Sequence, residues 1–231
     1  MVSIVTIYRE EDEHLLWELI NSIPKYANLV LVKTVPGEKD YEFIEVQKDG
    51  EATMAVLEYS GSFDFSKARN KAQTLATKEW VFHLDADDRL LPSQFEQMRL
   101  VLESTDKDVY GLIVNVMNYA LLLTEPPKHE WRTDLQLKLI RNKNIQWEGI
   151  LHETVEYEIY RQDKKILLSP ILVHHVGYEN REVLKGKILR NVKGMMSDEL
   201  TLKHRRFANL LIRDLNILYE LNELNEEKYV K

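Results

Sequence analysis

Apolar positions change their spacing several times along the chain, and each change marks an element. Val2-Ser-Ile-Val-Thr-Ile-Tyr8 is a β-rich run that predicts a buried first strand. Over residues 10–22 the period lengthens: Leu15, Leu16, Leu19 and Ile20 fall at helical spacing behind an acidic start, and Pro24 ends the helix. Residues 28–33 read as a second strand closed by the Pro36-Gly37 turn, and residues 41–47 and 53–59 as short strands around Lys48-Asp-Gly50. A helix is expected over 65–77, with Ala68, Ala72, Leu75 and Ala76 on one side, then a strand over 80–84 that ends in Asp85-Ala-Asp-Asp88. This alternation predicts an α/β sheet with parallel strands.

The second half has a different texture. A helix over 92–103 leads into a β-rich stretch over 109–124, and Glu125-Pro-Pro-Lys128 reads as a loop. Strands over 135–141 and 165–173 flank the segment 145–155, and from 179 onward the pattern is helical, in two pieces joined near 195–199.

Composition narrows the class. The 231 residues are 44% apolar and 30% charged, enough for one domain with a full core, and there is no cysteine to form a disulfide, a thiolate metal site or a thiol nucleophile. A net charge of −7 argues against a general nucleic-acid coat. No apolar run approaches the ~20 residues of a membrane span, and the start of the chain lacks the pattern of a secretory signal, so a cytoplasmic location is expected. The glycines, at 37, 50, 61, 111, 149, 177, 186 and 194, cannot form a Gly-x-Gly-x-x-Gly fingerprint or a Gly-x-x-x-x-Gly-Lys phosphate loop. A phosphorylated ligand would have to be neutralised by a cation or by cationic side chains.

The acidic run at the end of the 80–84 strand is the richest candidate. An apolar strand would deliver its carboxylates to the sheet edge where open α/β folds bind ligands. Asp85 and Asp87, two apart, would project to one side of an extended chain. Two such carboxylates repel unless a cation joins them, and oxygen ligands suit Mg²⁺ or Mn²⁺ bound with a diphosphate. An acidic turn before the next helix is the competing explanation.

Three further segments stand in order with this one: Phe63-Asp-Phe-Ser-Lys-Ala-Arg-Asn-Lys-Ala72, Trp147-Glu-Gly-Ile-Leu-His-Glu153 and His174-His-Val-Gly-Tyr178. Together they resemble the family 2 glycosyltransferases of the GT-A fold, in the branch with FSxARN, DAD and GxxHE motifs, over about residues 1–195. The resemblance implies an α/β, mixed and mainly parallel sheet flanked by helices, with residues 1–90 as a nucleotide-binding half, 91–178 as an acceptor half and 179–231 as a C-terminal helical extension.

It also implies roles. Thr6, Tyr8 and Glu10 match the segment that holds the base and ribose of a sugar nucleotide, and Arg69 and Asn70 match a pair near the nucleotide. A buried arginine tethered to the acidic loop is the alternative for Arg69. Asp87 matches a metal ligand, Asp85 a ribose or metal contact, and one of His174 and His175 a completion of the metal shell, with His174 preferred. Gly149 and Trp147 would line the sugar, and Glu153 would be the general base. The implied reaction is a metal-dependent inverting transfer of one sugar, with Mn²⁺ or Mg²⁺ and a UDP-sugar donor. The acceptor would be a saccharide, a peptide or a modified nucleic acid. Where many relatives carry a base-reading aspartate after the second strand, this chain has Lys33-Thr34-Val35. Nine Lys/Arg against four acids between Arg181 and Asp214 offer a contact for an anionic surface or a solvated helix face. An inactive sugar-nucleotide-binding or scaffolding domain is the alternative to an enzyme.

Overall fold

Strands whose side chains are apolar on both faces can only sit between two covering layers, and the centre of this molecule is built that way. The computed structural model describes residues 1–122, 128–149 and 153–178, with positions 185, 186, 188, 189 and 192 beyond them. Its strands are β1 (Val2–Tyr8), β2 (Asn28–Pro36), β3 (Glu42–Asp49), β4 (Ala52–Tyr59), β5 (Trp80–His83), β6 (Asp88–Arg89), β7 (Val109–Leu122), β8 (Lys128–Arg141) and β9 (Lys165–Tyr178). Its helices are α1 (Glu13–Ser22), α2 (Phe65–Gln73), α3 (Pro92–Ser104) and α4 (Glu156–Arg161).

The described strands form one sheet in the order β3-β4-β2-β1-β5-β8-β7-β9-β6. β4, β2, β1 and β5 run parallel, as the early strand–helix alternation predicted. β3 is an antiparallel edge, β8 joins β5 antiparallel, and β7 pairs antiparallel with β8 but parallel with β9. Period-2 alternation sends β1 to both layers. Ile4 packs with Leu16 and Leu19 of α1 and Phe95, Met98 and Leu102 of α3, while Val5 and Ile7 pack with Ala68 and Ala72 of α2 and Ile159 of α4. The mixed, centrally parallel sheet with helices on both faces is the GT-A-type architecture that the motifs imply.

Several boundaries differ from expectation for local reasons. Residues 10–12 form a 3-10 turn, so α1 proper begins at Glu13. α2 stops at Gln73 because tight i→i−3 bonds take over, from Thr74 N–H to Lys71 and from Leu75 N–H to Ala72. Asp64 caps α2, accepting the Lys67 amide at 3.1 Å, which frees Ser66 for another role. β8 extends back to Lys128, and α4 was not anticipated at all. In the expected C-terminal extension Ile188 and Val192 are buried, Lys185 is partly buried, and Gly186 and Leu189 are exposed; the other positions of the expected C-terminal helices and basic patch, and His152, lie outside the described residues. No helix among the described residues is long and apolar enough to cross a membrane.

Candidate active site

β5 ends against β1, with the Leu84 amide bonding the Val5 carbonyl at 3.1 Å, and the chain then turns. The turn is closed twice. The Asp88 amide donates to the Asp85 carbonyl at 2.9 Å, and the Asp85 amide donates to Asp88 Oδ2 at 2.9 Å. A two-residue strand follows, β6, whose register sets Asp88 opposite His175 and Arg89 opposite His174. The Val176 amide ties β9 back to the Asp87 carbonyl at 3.0 Å.

This register selects the histidine. His175 Nδ1 lies 2.9 Å from Asp88 Oδ1 and 3.4 Å from Asp87 Oδ1. Donor atoms of Asp87, Asp88 and His175 all fall within 4.8 Å of one another, a grouping able to hold a metal ion. Burial disfavours the charged His175 ring, but Asp87 and the hydrogen bond to Asp88 outweigh it and raise its pKa above the ordinary value. Two carboxylates and one imidazole form a hard, mainly oxygen donor set that suits Mn²⁺ or Mg²⁺. His174, the ring preferred from sequence, is not in that grouping; adjacent strand residues point to opposite faces, and the pairing with Asp88 falls to its neighbour.

Asp85 is differently engaged. Its Oδ1 accepts from Arg69 Nη2 at 2.9 Å and its Oδ2 from Lys138 Nζ at 2.7 Å. Lys138 also reaches Asp88 Oδ2 at 2.6 Å. Burial pushes the Asp85 carboxyl up, yet Lys138 and Arg69 hold it well below the usual carboxylate range. The Asp88 carboxyl is likewise lowered, with burial outweighed chiefly by Lys138 and His175. The side chain of Asp85 remains 36% exposed, so it sits at the rim with two resident cations beneath it.

α2 explains the spacing of its motif. Ser66 Oγ donates to the Gly149 carbonyl. Asn70 accepts the Trp147 amide at 2.7 Å and donates to the Trp147 carbonyl at 3.0 Å. Gln73 donates to the Ile145 carbonyl at 3.2 Å. Residues 66, 70 and 73 share one helix face, and together they staple the 145–149 segment along it. Arg69, on the same face, donates from Nε to Glu153 Oε1 while its other end holds Asp85. The tethered-arginine explanation describes its position in the structure. Gly149 adopts φ +100°, a backbone region that L side chains avoid.

Trp147 is anchored from a second side. Its Nε1–H points at His83 Nε2 at 3.3 Å, and the two rings meet edge to face. Burial, with the Arg69 charge nearby, pulls the His83 pKa well below the ordinary value, so the ring is neutral; its Nε2 also lies 3.2 Å from Gln73 Oε1, and the tautomer sets whether it accepts from Trp147 or donates to Gln73.

The first-strand residues lie along the same end of the sheet. Thr6 is fully buried, and its hydroxyl has no hydrogen-bond partner among the described residues. Tyr8 is half-buried, and its carbonyl accepts from Thr34 Oγ1 at 3.1 Å. Burial and then the Glu13 charge raise the Tyr8 phenol pKa. Glu10 is exposed at the start of the 3-10 turn. Lys33 is held by Glu13 at 2.8 Å. Lys138 belongs to no motif in the sequence; its burial is tolerated because two carboxylates, Asp85 and Asp88, stand beside it.

The sequence matches the family model for glycosyl transferase family 2 over residues 3–167. No curated protein matches it. Among solved structures the chain is similar to S. aureus TarS at 14% identity, with a TM-score of 0.47, covering 84% of this chain and 40% of that one. It is also similar to TarS 1–349 in complex with UDP-GlcNAc, at 14% identity and TM-score 0.48, covering 96% of this chain and 72% of that one. The chain thus spans 40% of the longer TarS structure.

Proposed function

The chain belongs to glycosyl transferase family 2, and on that premise we propose that it moves a single sugar, with inversion, from a nucleoside-diphosphate sugar to an acceptor in a metal-dependent reaction. The observation that carries this reading is the convergence of Asp87, Asp88 and His175 beside the Asp85–Arg69–Glu153 chain of ion pairs. An inert scaffold has no need to gather these groups at one sheet edge.

Asp87, Asp88 and His175 would hold the Mn²⁺ or Mg²⁺. When bound, that ion supplies positive charge for the departing diphosphate. Tyr8 offers a ring for the base, while Thr6 and Glu10 flank it on the donor side. Asp85, kept ionised by Lys138 and Arg69, presents its exposed edge to the ribose. Residues 1–90 thereby form the donor half and 91–178 the acceptor half. The donor we favour is a UDP-sugar.

On the acceptor side, Asn70 and Ser66 fix the backbone of Trp147 and Gly149, and Arg69 orients the Glu153 carboxylate. Glu153 takes the proton of the acceptor hydroxyl as its oxygen bonds to the anomeric carbon. The bond from that carbon to the diphosphate oxygen breaks, and its electron pair leaves with the diphosphate. Backside attack inverts the anomeric centre.

The test is a donor screen. The protein is incubated without acceptor, with Mn²⁺ or Mg²⁺, against UDP-GlcNAc, UDP-glucose, UDP-galactose, GDP-mannose and dTDP-glucose, and released nucleotide is measured. Slow, metal-dependent release from one donor supports the reading; no release and no thermal shift with any of them contradicts it.

A further inference from the structure

α4 begins at Glu156, just after Glu153 in the chain. The helix is set firmly: Val155 and Ile159 are buried, and Gly111 of β7 leaves the space into which Ile159 fits. A Cβ on Gly111 would come within 3.0 Å of Ile159 Cδ1 and 2.9 Å of Leu137 Cδ1. With that face fixed inward, the opposite side presents Tyr157 and Tyr160, one helical turn apart and 59% and 61% exposed. They line an open concavity of about 560 Å³ together with Glu148 and Arg161. Arg161 pairs with Glu148 and also with Glu158, the latter at 3.0 Å. The Glu148–Thr154 backbone bridge ties this wall to the residue following Glu153.

We propose that this concavity is a subsite for a saccharide unit of the acceptor; it rests on the glycosyl-transfer reading above. Two rigid aromatic rings offer apolar faces to the C–H faces of a pyranose, and the order already imposed on them lowers the cost of binding. Ionised groups at the rim supply both acceptors and donors for sugar hydroxyls. Charge narrows the ligand class. The two charged residues lining the concavity, Glu148 and Arg161, pair with each other, which leaves no net charge there to favour a polyphosphate or nucleic acid and suits an uncharged glycan.

The experiment uses the full chain on a glycan array bearing neutral and anionic oligosaccharides, and follows the best glycan by titration. Three proteins are compared: wild type, the Tyr157→Ala/Tyr160→Ala double variant and Tyr157→Phe/Tyr160→Phe. Wild type and the Phe pair should bind a neutral glycan with affinities within threefold of each other, because stacking needs the ring and not the hydroxyl. The Ala pair should bind at least tenfold more weakly while acceptor-free donor hydrolysis and melting temperature stay unchanged. Binding to no neutral glycan, preference for anionic ones, or retained affinity in the Ala pair overturns the subsite. Loss of donor hydrolysis in wild type itself would instead overturn the glycosyl-transfer reading, so the two failures are distinguishable.

Discussion

The ammonium of Lys138 stands 2.6 Å from Asp88 Oδ2, and Asp88 has no exposed surface at all. The same ammonium takes Asp85 at 2.7 Å, so one buried cation joins both ends of the acidic turn. Removing one partner of a buried pair costs far more than the pair itself contributes, because the remaining charge is stranded. Lys138→Met should therefore lower stability by about 3 kcal/mol. Urea unfolding would measure it, and a change below ~0.5 kcal/mol would mean that water already screens the pair.

The same cluster sets an acid limit. The Asp85 and Asp88 carboxyls sit below their ordinary value of 3.8 in the folded protein. A lowered folded value means that the unfolded chain binds protons first, so this stability is complete above that ordinary value and is lost as pH falls through the folded ones. Melting temperature should show this loss on going from pH 4 to pH 2, and Lys138→Met should flatten the fall.

Asn70 donates to and accepts from the backbone of Trp147. Asn70→Ala leaves a part-buried N–H and C=O unpaired and should cost about 2 kcal/mol. Asn70→Asp keeps the acceptor for the Trp147 amide but sets a carboxylate against its carbonyl, and should fall below wild type in turnover as well as stability. Thermal melts and single-turnover transfer measure the two effects.

Much of this was legible in the sequence, and the gaps have physical causes. The parallel centre announced itself because β1 and β2 are short β-rich segments separated by a helical stretch, and β1 buries residues on both of its faces. The acidic turn was legible because an apolar strand delivers it to an edge. α4 was not, because a helix of six residues spans less than two turns and shows no periodicity. Lys138 was hidden by alternation: in Leu135-Gln-Leu-Lys-Leu139 it occupies a polar position that a solvated face would explain equally well. The choice between His174 and His175 depends on strand register, a long-range pairing across 87 positions that no local pattern encodes. The ARN motif suggested contact with a nucleotide, whereas the structure shows what its side chains bind within the protein: the backbone of Trp147, and the carboxylates of Asp85 and Glu153.

Glu153 offers a clean separation of roles. Glu153→Gln keeps an oxygen for Arg69 but cannot accept the acceptor proton. Donor affinity should stay within twofold of wild type, while transfer to an acceptor falls by at least 10²-fold. Equal turnover in the glutamine variant would remove Glu153 from the chemistry.

Metal-dependent transfer requires that Asp87, Asp88 and His175 bind a divalent cation. Titration of the protein with Mn²⁺ in the presence of UDP, followed by the electron paramagnetic resonance of the free ion, measures this binding. Wild type should take up about one Mn²⁺ per chain, and Asp87→Asn should weaken uptake at least tenfold while leaving the melting temperature in place. Equal Mn²⁺ uptake by both proteins, or none by the wild type, would contradict the assignment of Asp87, Asp88 and His175 as the metal-holding set.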